Sequence, residues 1–276
     1  MTIELPRTAL LGVGSMSGAV LDGLLAAGLA PETVVLTTKS EASAAAHRER
    51  GLDAHASDTD PDANRAAVRG AGVVVLGVKP FVIGDLLDEV AGDLEPGAVV
   101  VSVAVGVTTA AMEARVPDSV RVVRALPNTP IGVGHGVTGI SGGAASDAAA
   151  VALASSLFDV SGSVIEVPED RLDALSAVSG SGPAYVFLLI EQWQQAAESL
   201  GFTPEQAETM VQGTVRGAVE LLERSGREPA DLRRAVTSPK GTTERAVAVL
   251  QDADLADTLL RASRAAIARA EEIAAS

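Results

Sequence analysis

The chain of 276 residues contains no cysteine. Disulfides, thiolate nucleophiles and Cys-ligated zinc or iron–sulfur centres are therefore excluded. Aromatic residues make up only 2% of the chain, as four Phe, one Tyr and one Trp. A core without large rings has to be built from Ala, Val, Leu and Ile, which suits close-packed helices and buried parallel strands. Positive charge is also scarce. The 21 Lys and Arg stand against 36 Asp and Glu, a net charge of -15. Proteins that hold nucleic-acid phosphates carry basic surfaces, so nucleic acid is not an expected partner. Any anionic ligand must be held locally, by backbone N–H groups and a few side chains. Uninterrupted apolar stretches fall short of the ~18–20 residues of a membrane helix. The stretch Met1–Arg7, with an acid and a proline, does not read as a signal peptide. No membrane contact and a cytoplasmic location are the expectations.

Hydrophobic residues are nonetheless 47% of the chain, enough for a core, and disorder over most of the length is excluded. The length suits two compact units. Up to Val167, short apolar runs alternate with helix-like segments. Strands are expected at Ala9–Gly12, Thr33–Thr37, Val73–Val78, Val99–Val105, Val137–Ile140 and Ser163–Val167, with a further one before Arg124. Helices are expected at Ser17–Leu29, Glu41–Arg50, from Asp60-Pro61 to Arg69, at Phe81–Val90 and at Asp147–Phe158. Continuous rather than alternating apolar runs mark strands covered on both faces. Strand–helix repetition then predicts a doubly wound, mostly parallel α/β sheet. Residues 132–143 hold six glycines and read as loops around one short strand. After Pro168 every segment reads as helix: Glu169–Val178, Pro183–Leu200, Pro204–Arg224, Ala230–Val236, Thr243–Leu250 and Ala253–Ala274. The expected division is residues 1–166 as a dinucleotide-binding domain and 167–276 as an all-helical one. Some 110 residues of helix make a thin domain, so pairing with a second copy is expected.

Six segments carry chemistry. Gly12-Val13-Gly14-Ser15-Met16-Ser17 links a strand to a helix. In that context Gly12 allows a tight turn, Gly14 lets the backbone approach a pyrophosphate, and Ser17 takes the third small position. The next strand ends Thr37-Thr38-Lys39-Ser40, with no acid until Glu41. An acid there would bind a ribose 2′-OH. Hydroxyls and a lysine suit a 2′-phosphate, so NADPH is expected, with NADH as the alternative; Lys39 as a solvated strand-end residue is the bland reading. Val78-Lys79-Pro80 ends another strand, where Lys79 is either a phosphate or ribose contact or a plain surface lysine. Pro127-Asn128-Thr129-Pro130 is a stiffened loop at a strand end, with Asn128 as a cofactor contact or an ordinary turn residue. Ser179-Gly180-Ser181-Gly182-Pro183 and Thr237-Ser238-Pro239-Lys240-Gly241-Thr242-Thr243 each open a helix, with Ser181 placed to cap the first. Free N–H groups and hydroxyls at the second would accept a small carboxylate.

Taken together these segments resemble the pyrroline-5-carboxylate reductase family, over essentially the whole chain. The most specific are Ser179-Gly180-Ser181-Gly182-Pro183-Ala184-Tyr185 and Ser238-Pro239-Lys240-Gly241-Thr242-Thr243. The resemblance implies an N-terminal Rossmann domain, a helical domain interlocked in a homodimer, often within a decamer, and NAD(P)H-dependent reduction of 1-pyrroline-5-carboxylate to L-proline. It implies that Thr243 hydrogen-bonds the imine nitrogen. The N–H groups around Lys240, Gly241 and Thr242 would hold the carboxylate with Ser238 assisting, and Ser181 and Asn128 would frame the nicotinamide and substrate. Gly12, Gly14, Ser15, Met16, Thr38, Lys39, Ser40, Val78, Lys79 and Pro80 complete the cofactor site. There are two departures. Lys240 replaces the first glycine of the usual Ser-Pro-Gly-Gly-Thr-Thr, and Leu126 stands where methionine is commoner. No metal is expected. None of His47, His55 and His135 lies in a motif and no acid pair is placed as a relay, so catalysis should rest on positioning and the cofactor. The other readings are a related imine or β-hydroxyacid reductase, and a non-catalytic NADP-binding regulatory protein.

Overall fold

The apolar runs become strands buried on both faces. In the computed structural model, which describes residues 4–274, β1 (Thr8–Leu11), β4 (Val73–Leu76) and β5 (Val99–Ser102) are buried at every position. The first three residues of the stretch weighed above as a leader lie outside those described. Successive side chains point to opposite faces. Leu10, Val75, Val99 and Val101 join the core under α1 (Ser15–Ala26), α2 (Glu41–Glu49) and α6 (Ala148–Asp159). Ala9, Leu11, Val74, Leu76 and Val100 join the core under α3 (Ala63–Val68), α4 (Ile83–Val90) and α5 (Thr109–Glu113).

With β2 (Val34–Thr38), β3 (Asp53–Ala56), β6 (Arg121–Leu126), β7 (Gly136–Gly142) and β8 (Gly162–Glu166), these form one sheet in the order β3-β2-β1-β4-β5-β6-β7-β8. All neighbours are parallel except β6 and β7. The doubly wound, mostly parallel sheet expected from the sequence is present. The short helix α5 was not expected, and three further details differ. Strand β3, Asp-Ala-His-Ala, was not expected; it is an edge strand with only its two alanines buried, too short and polar to stand out. Strand β7 is longer than Val137–Ile140 because glycines that suggest loop are accommodated in an extended ladder with β6 and β8. Helix α3 starts at Ala63 rather than at Asp60-Pro61, since the Asp60 carboxylate accepts the Asp62 N–H at 3.0 Å and holds a turn there instead.

Beyond β8, the described chain is helical: α7 (Glu169–Ser179), α8 (Gly182–Ser199), α9 (Pro204–Ser225), α10 (Pro229–Ala235), α11 (Thr242–Asp252) and α12 (Leu255–Ala274). Thr203 and Gln206 close a reciprocal capping box at the start of α9, with Pro204 in its first turn. The chain forms two compact units, one running to Ser181 and taking up the C-terminal end from Ala266, the other Gly182–Ala265. The change from βα alternation to helix at 166/167 thus precedes the unit boundary, because α7 packs on the sheet, with Leu172 and Leu175 against Gly139 of β7. Within Gly182–Ala265 few apolar side chains are covered. Ala197, Ala207 and Val211 are buried, whereas Phe187 is 66% exposed and Leu188, Leu189, Val249 and Leu250 are also exposed. Apolar exposure of this extent marks an interaction surface.

A buried ion-pair network also had no counterpart among the expectations. Arg124, in the apolar run of β6, is only 2% exposed. Its Nη1 donates to Glu169 Oε1 at 3.1 Å and its Nη2 to Asp173 Oδ1 at 3.3 Å, both on α7. Glu169 also accepts the Thr109 N–H at 2.7 Å and the Thr109 hydroxyl at 2.6 Å. Burial opposes ionisation of Glu169 most strongly, but the Thr109 donors and the Arg124 guanidinium together outweigh it and hold the carboxyl below its ordinary value. Its folded-state pKa is therefore lower than its unfolded one. The stabilisation it confers is complete above the ordinary carboxylate range, about 4.3, and is lost as pH falls through the folded value. Arg124→Met strands two partly buried carboxylates and should lower stability by about 3 kcal/mol at pH 7. Urea unfolding of both proteins from pH 7 to pH 3 should show that deficit shrinking as Glu169 protonates.

Candidate active site

Strand β1 lies between β2 and β4 in parallel register, with Leu11 opposite both Thr37 and Leu76. Three strands therefore end at one level, and the turns leaving them share one edge of the sheet. Ligands of doubly wound sheets bind at such carboxyl edges, where the strand order reverses.

The turn after β1 has two glycines with different reasons. Gly12 adopts φ +77, and the Gly12 and Val13 N–H groups donate to Thr37 O at 3.0 and 2.9 Å. A Cβ at Gly12 would lie 2.3 Å from Val78 Cγ1, so both conformation and space require glycine. Gly14 has an ordinary φ of -111, and a Cβ there would meet no protein atom within 4 Å. Packing does not call for glycine at Gly14; what its missing side chain keeps clear is the space before α1. That helix starts at Ser15 and Met16 with no side-chain cap on its first N–H groups. An uncapped helix N-terminus facing cleared space fits a dinucleotide pyrophosphate. Ser17, 2% exposed, sits where α1 meets β4, and a Cβ on Gly77 would lie 1.9 Å from its hydroxyl. This close approach is why the third position is small.

At the end of β2, Thr38 is buried and donates its hydroxyl to Ser40 O at 3.0 Å. Ser40 caps α2, its hydroxyl accepting the Ser43 N–H at 3.3 Å. Lys39 projects into solvent between them. Val78 packs beside Gly12, Lys79 is exposed, and Pro80 opens a 3-10 turn, Pro80–Val82. Gly12, Gly14, Ser15, Met16, Thr38, Lys39, Ser40, Val78, Lys79 and Pro80 are thus brought to one edge. Asn128 follows β6 on that edge, but its side chain already has protein partners: Oδ1 accepts the Val137 N–H at 2.8 Å and Nδ2 donates to Ser179 O at 2.9 Å. On the flank of this site, an open groove of about 480 Å³ runs between α1 and α2 past His47 and Arg50. Burial, and then the Arg50 charge, lower the pKa of His47.

Ser181 follows α7 and donates its N–H to Ser176 O at 3.0 Å; α8 opens at Gly182, one residue before Pro183. In the helical unit, Ser238, Lys240, Thr242 and Thr243 are exposed around the start of α11. Lys240 adopts φ +61, the left-handed region that a glycine occupies without strain. The carboxylate nest is narrower than the sequence suggested. The Lys240 N–H donates to Glu244 Oε2 at 2.9 Å and the Gly241 N–H to Ser238 O at 3.0 Å. The N–H groups of Thr242 and Thr243, first in α11, have no intrahelical acceptor. Among the described residues no cluster of His, Asp or Glu is arranged to hold a metal ion. The residues that sequence reasoning did not assign are Arg124, Glu169 and Asp173. Their one signal is a charge inside Val122-Val123-Arg124-Ala125-Leu126, since a buried charge requires a partner.

If the clearance before α1 exists for a ligand, Gly14→Ala should change folding stability by no more than about 0.5 kcal/mol, the scale of a Gly–Ala exchange at a helix cap. The same change should weaken NADPH at least ~10-fold, because the new methyl intrudes on the pyrophosphate path. Thermal unfolding and fluorescence titration with NADPH measure the two effects separately.

Two families match the chain. The one described as "NADP oxidoreductase coenzyme F420-dependent" covers residues 7–106, and the one described as "Pyrroline-5-carboxylate reductase dimerisation" covers residues 169–273. A pyrroline-5-carboxylate reductase of Corynebacterium melassecola is 35% identical over 268 residues, which is 96% of this chain and 97% of that protein. The structure of a pyrroline-5-carboxylate reductase from Coxiella burnetii superposes with a TM-score of 0.90 at 38% identity, covering 98% of each chain. That of the Plasmodium falciparum pyrroline carboxylate reductase, solved with NADP bound, shares the fold at a TM-score of 0.84 and 24% identity, covering 99% of each chain. Two units that match in the same order, over nearly all of both chains, identify this protein as a member of the pyrroline-5-carboxylate reductase family.

Proposed function

We infer that this chain reduces the cyclic imine 1-pyrroline-5-carboxylate to L-proline with NADPH, as an oxidoreductase acting on a C=N bond. The observation that carries this reading is the 35% identity to a reductase of that name over 96% of the chain, which takes in both units. The runner-up readings, a different reductase or a binding protein without turnover, gain no support from it.

Bound NADPH supplies the hydride that reduces the imine carbon. The uncapped N–H groups at Ser15 and Met16 hold its pyrophosphate, in the space that Gly14 leaves open. Lys39, with Thr38 and Ser40 at the acid-free end of β2, receives the 2′-phosphate. Val78, Lys79 and Pro80 flank the cofactor at the end of β4. In the helical unit, the Thr242 and Thr243 N–H groups bind the substrate carboxylate with Ser238, and the exposed Lys240 ammonium adds a cation beside them. The Thr243 hydroxyl hydrogen-bonds the imine nitrogen and keeps it oriented for protonation. Ser181 borders the substrate at the junction of α7 and α8.

The helical unit pairs with a second copy in a homodimer, and decamers are built from such dimers. The dimerisation family matched by residues 169–273 and the exposed apolar faces of α8, α9, α11 and α12 both support association. The protein works in the cytoplasm. The stretch Glu169–Ser199 has the length and mean hydropathy of a membrane span. However, it is broken at Gly180–Ser181, and its first half is tied to the sheet by Glu169 and Asp173.

Loss of NADPH absorbance on adding 1-pyrroline-5-carboxylate tests the reading; NADPH binding without turnover would defeat it. Thr243→Ala should lower kcat ~10-fold or more, since an aligned hydrogen bond contributes ~1 kcal/mol or above. Unchanged kinetics would take Thr243 out of the mechanism. In titrations with both cofactors, Lys39→Asp should weaken NADPH by ~10-fold or more and leave NADH within ~3-fold, by placing an anion where the 2′-phosphate binds. Equal losses would assign the 2′-phosphate to other residues.

A further inference from the structure

Helix α7 is fastened at both ends to one strand and the loop that leaves it. At its start, Glu169 and Asp173 receive the Arg124 guanidinium from within β6, and Thr109 secures Glu169 a second time. At its end, the Asn128 amide donates to Ser179 O at 2.9 Å. The same amide accepts the Val137 N–H at 2.8 Å, so Asn128 joins the exit of β6, the start of β7 and the end of α7. It is 6% exposed.

The position of this fastening has a meaning in the sheet. A dinucleotide crosses the reversal between β1 and β4, and the residue after β2 reads its adenosine ribose. The nicotinamide half would then fall on the other side of the reversal, toward β4, β5 and β6, the side from which Asn128 leaves. Ser179 O is one of the last carbonyls of α7, which lack an intrahelical donor. Asn128 satisfies it and so sets the point at which the Ser179-Gly180-Ser181 turn begins. The turn is closed from the other direction by the Gly180 and Ser181 N–H groups, which both donate to Ser176 O. A Cβ on Gly180 would lie 2.7 Å from that same oxygen, so the turn has little freedom to shift.

We propose that Asn128 is a positioning residue and not a cofactor contact: through Ser179 it holds the Ser179–Ser181 turn at the nicotinamide side of the sheet edge, with Arg124–Glu169 anchoring the far end of the same helix. This rests on the reading of the chain as a dinucleotide-dependent reductase. Asn128→Asp keeps the acceptor for Val137 but removes the donor and sets a carboxylate oxygen against Ser179 O. Amide hydrogen exchange at Gly180 and Ser181 should accelerate at least ~10-fold. The kcat for imine reduction should fall ~10-fold, with KM changing less than kcat and the Kd for NADPH staying within ~3-fold. A ~10-fold rise in that Kd with unchanged exchange would make Asn128 a direct cofactor contact and overturn the proposal. Unchanged exchange with unchanged kcat would overturn it equally. If the wild-type protein binds NADPH but does not reduce the imine, the functional reading fails, while exchange and NADPH affinity still decide the role of Asn128. Glu169→Gln carries the same measurements should Asn128→Asp not fold. It should quicken exchange at Gly180 and Ser181 by ~3-fold; a loss of thermal stability with no change in that exchange would overturn the far-end anchor.

Discussion

The constraint on which the site depends is the parallel pairing of β1 with β2 on one side and β4 on the other. Because Leu11 is level with both Thr37 and Leu76, the Gly12–Gly14 turn, the Thr38–Ser40 strand end and the Val78–Pro80 exit come to the same edge. A chain with a net charge of -15 has no general attraction for a phosphate. What it has at this edge is local: uncapped N–H groups at the start of α1, a lysine at the end of β2, and an opening where Gly14 has no side chain. The contacts that hold the edge together are made by small groups. Gly12 lies against Val78 and Gly77 against the Ser17 hydroxyl, at separations no larger side chain would allow.

The Arg124 network follows a different physical logic. Moving a guanidinium and carboxylates out of water is unfavourable, and a buried ion pair is often no more stable than an apolar replacement of the same size. Its contribution here is directional. Arg124 and Thr109 accept only a carboxylate placed as Glu169 is, so α7 has one position against β6 rather than a family of sliding alternatives. The apolar contact of Leu172 alone would define that position less sharply.

The helical unit shows what a single chain leaves incomplete. Its long helices carry apolar residues that remain exposed, including Phe187, Leu189 and Val249, and membership of a family with a dimerisation module explains what they are for. Lys240 is the notable local departure. A left-handed lysine carries a strain of about 1 kcal/mol that glycine would not, and its N–H is held by Glu244, which steadies the turn in that conformation. Its exposed ammonium beside the first turn of α11 is the feature a glycine could not supply.

By itself the sequence determined the class of fold, the order of every strand but β3 and of the longer helices, three glycine-and-hydroxyl turns and the family. Continuous Val and Leu runs can only be strands covered on both faces, and Gly12, Gly14, Ser179–Ser181 and Ser238–Thr243 are local patterns whose chemistry depends on near neighbours. The tertiary structure alone decided the partners of Arg124 and Asn128. Arg124 meets Glu169 and Asn128 meets Ser179 across separations of 45 and 51 residues, which no local pattern encodes. It also decided that β3 is a strand and that β7 extends over Gly136–Gly142, since Asp-Ala-His-Ala and flanking glycines become extended only when a neighbouring ladder offers them hydrogen bonds. Burial drives the first kind of feature and is visible residue by residue. The second kind arises when polar groups must find partners after the chain has been brought together, and those partners can come from anywhere along it.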